Sequence, residues 1–171
     1  MEKRPLLLCT DPGIDDFIAL SMVLARLEFD VLGMIALSGN VGLDVTVNNA
    51  LLACELNGRS DIPVLAGSAA SNIHGKSGLG KSTELYAKGR PLASSGADFI
   101  LQMAEKYTGT LEILSLGPLT DVALALQKSP EAANKIARVV VMGGGIHAGN
   151  ATKYAEFNIV ADPEAAQVVF S

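Results

Sequence analysis

The sequence predicts one α/β domain over residues 1–171, built on a doubly wound, mainly parallel, Rossmann-like sheet. Three observations predict it. Apolar runs of strand length alternate with segments of helical spacing along the chain, the pattern of strands joined by crossover helices. Hydrophobic residues make up 49% of the chain and the mean hydropathy is +0.34, which suits strands covered on both faces. The apolar runs end at Asp11, Asn40, Gly67, Gly117 and Gly143, and open α/β sheets bind ligands outside the carboxyl ends of their strands.

In chain order, residues 5–10 read as a buried strand. Pro12 disfavours helical geometry at Asp11 and leaves it at the strand's end. Phe17, Leu20, Leu24 and Leu27 give residues 14–28 a helical spacing. Residues 31–37 form a second strand closed by Ser38-Gly39-Asn40. A helix spans 44–57, with Asp44 as N-cap and Gly58 as its stop. Residues 62–66 form a third strand. Residues 67–94, rich in Gly, Ser and Lys, show no sustained period, and loops of this length in compact domains are usually functional or disordered. A helix over 96–107, a strand over 111–116, a helix over 119–127 and a short helix starting at Pro130 follow. Residues 138–142 form a fifth strand, followed by a polar loop with His147, Asn150, Tyr154, Glu156 and Asn158. Asp162-Pro163 then starts the last helix, 164–170, with Pro at its first position.

Several function classes are disfavoured. Net charge is −5 and the isoelectric point is near 5.0, without the basic stripe of a nucleic-acid surface. Lys3 and Arg4 precede only a short apolar run, neither a signal peptide nor a membrane span. Cys9 and Cys54 lie in apolar segments and read as free thiols of a reducing cytoplasm. Without tryptophan, base stacking would fall to Tyr, Phe or His.

The chemistry concentrates at Thr10-Asp11-Pro12-Gly13-Ile14-Asp15-Asp16. Three carboxylates within six residues repel one another. Helix N-terminal amides favour negative charge but supply no full compensating charge. A hard divalent cation with oxygen ligands does, Ca²⁺ or Mg²⁺. The plainer alternative is that Asp11 caps the helix and Asp15 and Asp16 complement its dipole. Gly75-Lys76-Ser77-Gly78-Leu79-Gly80-Lys81-Ser82 matches a phosphate-binding loop formally. Such a loop joins a strand directly to a helix, whereas this one lies mid-loop, and an ATPase-like reading is disfavoured.

The motifs together resemble the inosine-uridine type nucleoside hydrolases. Thr10 to Asp16 is similar to the N-terminal signature of that family. Val141-Met142-Gly143-Gly144, Gly149-Asn150-Ala151-Thr152, Ala155-Glu156-Phe157-Asn158 and Asp162-Pro163-Glu164-Ala165-Ala166 resemble its second signature, in order. Ser38-Gly39-Asn40, His74-Gly75 with Ser77-Gly78-Leu79-Gly80, and Gly117-Pro118-Leu119-Thr120 also fit. The resemblance implies the nucleoside hydrolase fold and Ca²⁺-dependent hydrolysis of the N-glycosidic bond of purine or pyrimidine ribonucleosides. It implies Asp11, Asp16 and the Leu116 carbonyl as metal ligands, with Asp11 as the general base that takes a proton from water. Asp15, Asn40 and Asn158 would hold the 2′- and 3′-hydroxyls, Asn150 and Glu156 the 5′-hydroxyl, with Met142 among the substrate-binding residues and His74 near the base. It further implies a ribonucleoside as partner and a homo-oligomer, dimer or tetramer.

Plainer roles exist for these residues: Asn40 and Asn150 as turn formers, Glu156 as a solvated acid, Met142 as core, and His74, like His147, as a surface histidine. Two departures from the family pattern stand out. Cys9 occupies a position where many members carry another Asp. Members are also roughly twice as long, so the chain reads as C-terminally truncated, without the last ligating Asp and the His that protonates the leaving base. An impaired hydrolase and a non-catalytic ribose- or nucleoside-binding module are therefore both expectations.

Overall fold

The computed structural model describes residues 2–68 and 86–171. Among the described residues, five parallel strands form one sheet: β1 (Arg4–Thr10), β2 (Phe29–Ala36), β3 (Val64–Ala66), β4 (Leu111–Ser115) and β5 (Ile136–Val141), in the order β3-β2-β1-β4-β5. The order reverses at β1, so the doubly wound sheet has its switch point between β1 and β4. The described residues also form the helices α1 (Ile14–Leu24), α2 (Leu43–Leu56), α3 (Gly96–Lys106), α4 (Thr120–Lys128), α5 (Phe157–Ala161) and α6 (Pro163–Phe170).

Side chains alternate across a strand, so β1 feeds two cores. Leu7 and Cys9 pack with Ile35, Leu65, Phe99, Ile100, Ile113 and Val122, beneath α3 and α4. Leu6 and Leu8 pack with Leu20, Leu24, Met34, Ala50 and Ala53, beneath α1 and α2. Strand β1 is thus covered on both faces, as its unbroken apolar run requires. Cys9 and Cys54 are free and buried, and burial pushes the Cys54 thiol up to about 11.

The elements depart from the sequence expectation at their ends. Helix α1 stops at Leu24 with Ala25 as C-cap, because Arg26 N–H turns back to the Val23 carbonyl. Leu27, expected on its apolar face, is 83% exposed. Helix α2 is preceded by Gly42 as N-cap and has Asp44 inside its first turn, so Asp44 meets the helix dipole rather than capping the helix. Gly58 ends α2 as expected, at φ 67°, where a side chain would be strained. Helix α5 falls where a polar loop was expected. Glu156 caps it by accepting from Ile159 N–H. Asp162 caps α6 by accepting from Ala165 N–H, with Pro163 opening the helix. A 3-10 helix spans Pro130–Asn134.

Candidate functional site

The end of β1 lies between the ends of β2 and β4, and both neighbours turn on glycine there. A Cβ at Gly39 would stand 2.1 Å from Asp11 Oδ2, and one at Gly117 would stand 2.5 Å from Asp11 Oδ1. The two glycines leave just enough room for the Asp11 carboxylate, which is fully buried. Its Oδ2 accepts from Asn40 N–H at 2.8 Å. Its Oδ1 is buried with no hydrogen-bond partner, a costly condition for a carboxylate. Burial first, and then the Asp16 charge, push the Asp11 carboxyl up to about 8, against the Asn40 hydrogen bond that lowers it.

Asp16 is buried at the first turn of α1. Thr10 Oγ1 donates to its Oδ1 at 2.7 Å, and Asn40 Nδ2 donates to its Oδ2 at 3.3 Å. Its carboxyl is also raised, chiefly by burial, with the Thr10 bond opposing. Asn40 Nδ2 reaches the Asp11 carbonyl as well, at 3.0 Å. A single asparagine amide therefore ties the strand end to the helix start. Asn49, on α2, holds the turn between them by donating to the Pro12 carbonyl at 3.0 Å.

The opposite wall comes from the chain after β5. Asn158 Nδ2 donates to the Leu116 carbonyl at 2.7 Å and to the Met142 carbonyl at 2.9 Å. Glu156 Oε2 accepts from Gly144 N–H at 3.2 Å and Ile159 N–H at 3.3 Å. Asn150 Oδ1 accepts from Phe157 N–H at 2.8 Å. These contacts assign local structural work to residues that the resemblance casts as substrate contacts.

A cavity of about 100 Å³ brings together Asp11, Asp15, Asp16, Asn40 and Leu116 from one side, and Met142, Asn150, Glu156, Phe157 and Asn158 from the other. Every predicted site residue is in it except His74. His74 and the phosphate-loop-like segment Gly75–Ser82 lie outside the described residues. An adjoining cleft of about 140 Å³ shares Asp15, Asp16, Leu116 and Met142 and reaches Ala19. His147 is exposed and lines neither. Sequence reasoning missed Phe157, Thr10 as the hydroxyl holding Asp16, and Asn49. Thr10 and Phe157 lie inside the quoted motifs, so position alone could have raised them. Asn49 sits mid-helix, without such a signal.

Among the described residues, no group of three or more His, Cys, Asp or Glu side chains is arranged to hold a metal ion. The cavity is lined by four acids, Asp11, Asp15, Asp16 and Glu156, and by Leu116. An orphaned buried carboxylate oxygen beside a second buried acid fits a hard cation with oxygen ligands.

A crevice of buried acids and amides at the switch point of a doubly wound parallel sheet defines a small-ligand-binding α/β protein. The comparisons with known proteins make the class specific. The chain belongs to the inosine-uridine preferring nucleoside hydrolase family, whose model matches residues 6–171. It is 40% identical over 181 aligned positions to uridine nucleosidase 1 of Arabidopsis thaliana, covering 99% of this chain and 54% of that protein. It superposes on a plant nucleoside hydrolase with a TM-score of 0.93 at 34% identity, covering 99% of this chain and 57% of that one. A purine-preferring ribonucleoside hydrolase from Gardnerella vaginalis gives 0.92 at 31% identity, covering 98% and 57%. The chain spans about half the length of the relatives it matches. No helix among the described residues is long and apolar enough to cross a membrane.

Proposed function

We propose that this chain carries the ribose- and metal-binding half of an N-ribosyl hydrolase site and cleaves ribonucleosides to ribose and free base. The observation that supports it is the convergence of nine sequence-predicted residues on one cavity, in a chain of the nucleoside hydrolase family. Relatives named as uridine nucleosidases make uridine the first substrate to test, with inosine beside it.

In this reading Asp11 Oδ1, Asp16 and the Leu116 carbonyl hold Ca²⁺. Bound calcium supplies positive charge that offsets the two buried carboxylates and acidifies water beside it. Asp11, raised towards neutrality by burial, takes the proton of the attacking water as general base. The water oxygen bonds to C1′, and the glycosidic bond breaks with its electron pair leaving on the base, which takes up a proton from solvent as Asp11 releases its own. Asp15, Asn40 and Asn158 hold the 2′- and 3′-hydroxyls, and Asn150 and Glu156 hold the 5′-hydroxyl. Gripping the sugar at every hydroxyl carries remote binding energy to the reacting carbon. Met142 borders the sugar, and His74 is proposed on the base side. The protein acts in the cytoplasm as a homo-oligomer, which the exposed Val140, Met142 and Phe170 support.

A second reading is a ribose- or nucleoside-binding module without catalysis. Two carboxylates and one carbonyl are fewer than the six to eight oxygens that calcium takes, which leaves room in the shell for the hydroxyls of a bound sugar. Free ribose released from uridine and inosine, with and without Ca²⁺, separates the two. Release that requires Ca²⁺ and is lost in Asp11→Ala supports the hydrolase. Saturable ribose binding by calorimetry without release supports the module. Release that survives Asp11→Ala removes the proposed mechanism.

A further inference from the structure

Four acidic side chains are buried among the described residues: Asp11, Asp16, Asp121 and Glu156. Three of them line the cavity. Asp121 does not. It lies in the first turn of α4, 2% exposed, and none of the ion pairs among the described residues involves it. Burying a carboxyl group is costly without compensation, so its contacts show what the cost secures.

The Asp121 side chain lies between the end of β3 and the start of α3. Its Oδ2 accepts from Ser68 N–H at 2.7 Å; burial raises its carboxyl, against the lowering influence of Ser68 and of the Ala97 amide. Ala97 is in the first turn of α3, where helix amides favour an anion. The pocket is cut to size. A Cβ at Gly67 would stand 2.6 Å from Oδ2, and one at Gly96 would stand 2.6 Å from Oδ1.

From Ser68 the connection runs to the site. The Ser68 carbonyl accepts from Ser38 N–H at 3.2 Å, and Gly67 N–H donates to the Ala36 carbonyl at 2.8 Å. Ser38 opens the turn that carries Asn40, and Asn40 N–H donates to Asp11 Oδ2 at 2.8 Å. The side chain of Asn40 then reaches the Asp11 carbonyl and Asp16. We propose that Asp121 is a positioning residue for the site: by clamping Ser68, it fixes the 38–40 turn and so aims Asn40 at Asp11 and at the sugar. The sugar-binding half of this proposal rests on the reading of Asn40 given under Proposed function; the hydrogen-bond path does not.

The choice of residue follows from the chemistry. Ser68 N–H donates to one oxygen and the first turn of α3 faces the other, and only an ionised carboxylate is acceptor alone on both atoms. Asparagine keeps one accepting oxygen for Ser68 N–H and turns an N–H₂ towards α3. Alanine leaves the Ser68 amide unmet.

The test compares Asp121→Ala and Asp121→Asn with Val122→Ala, which opens a cavity one residue along α4 without touching the path. The readouts are backbone amide exchange at Asn40, ribose affinity by titration calorimetry, and thermal midpoint. Asp121→Ala is expected to speed Asn40 exchange and weaken ribose binding by about tenfold each, a change the size of one or two hydrogen bonds. Asp121→Asn falls between it and the wild type, and Val122→Ala moves only the midpoint. Unchanged Asn40 exchange in Asp121→Ala, or the same response in Val122→Ala, overturns the proposal. If Asp121→Ala does not fold, the isosteric Asp121→Asn decides by the same two readouts. A wild type that binds no ribose sinks the functional reading, while Asn40 exchange still decides the clamp.

Discussion

Asn158 spends its amide on the Leu116 carbonyl, at 2.7 Å, which is the backbone oxygen proposed to ligate calcium. One N–H₂ thus holds the ends of β4 and β5 together, through Leu116 and Met142. A carbonyl has two lone pairs, so Asn158 and a cation can share the Leu116 oxygen. Asn158→Ala leaves two backbone oxygens without their donor and is expected to cost about 1–3 kcal/mol in urea unfolding. Calcium should recover more stability in this variant than in the wild type, because the cation then satisfies an otherwise unpaired carbonyl. Equal calcium stabilisation in both proteins would remove Leu116 from the ligand set.

The raised Asp11 carboxyl sets a pH dependence with a definite sign. Its folded value, about 8, lies above the usual carboxylate value, so folding favours the protonated form. Its contribution to stability is fully present below about pH 4 and is lost as pH rises to about 8. Across that window the metal-free protein should lose up to about 1.4 kcal/mol per pH unit from this group. Asp11→Asn should remove that slope, leaving the smaller ones from Asp16 and Asp121, whose carboxyls are also raised by burial. Calcium binds the ionised form, so its stabilisation should be larger at pH 8 than at pH 5. Urea midpoints at several pH values, with and without calcium, measure all three effects. A flat metal-free profile would mean that Asp11 is solvated.

The space around Asp11 makes a separate prediction. Ala at Gly39 would place its methyl against the Asp11 carboxylate, and Ala at Gly117 would press on both the carboxylate and the Asp11 backbone nitrogen, the latter at 3.1 Å. The aspartate is short and buried, so it cannot swing clear. Each substitution should cost about 1–3 kcal/mol, as overpacking does, and should abolish the rise in thermal midpoint on adding calcium. Scanning calorimetry of both variants with and without calcium tests this. Retention of the full calcium shift would place the cation elsewhere.

Much of this geometry was legible in the chain. The strand-helix alternation predicted the parallel sheet, and Pro12 left Asp11 at the end of β1, because both signals are local. Long-range partners were not legible. Asp121 and Ser68 are 53 residues apart, and an Asp in a helix's first turn reads as a dipole partner until the fold brings Ser68 to it. Helix α5 was missed because five residues are too few to show a helical period beside Glu156 and Asn158. Leu27 kept the spacing of α1 although the chain had already turned.

The fourth prediction concerns the far edge of the sheet. Among the described residues, strand β5 pairs with β4 on one side only. Parallel strands are ordinarily buried on both faces, yet Val140 is 46% and Met142 48% exposed. On α1, Ile18 and Met22 also face outward, at 59% and 61% exposure. An uncovered apolar strand at a sheet edge invites association. Wild-type protein should therefore sediment as an oligomer whose population grows with concentration. Val140→Asp places a charge on that edge at an already exposed position, so its stability should stay within about 0.5 kcal/mol of the wild type while the oligomer dissociates. If it sediments like the wild type, the β5 edge is not the contact, because a carboxylate buried there without a partner would weigh against association by far more than it weighs against folding.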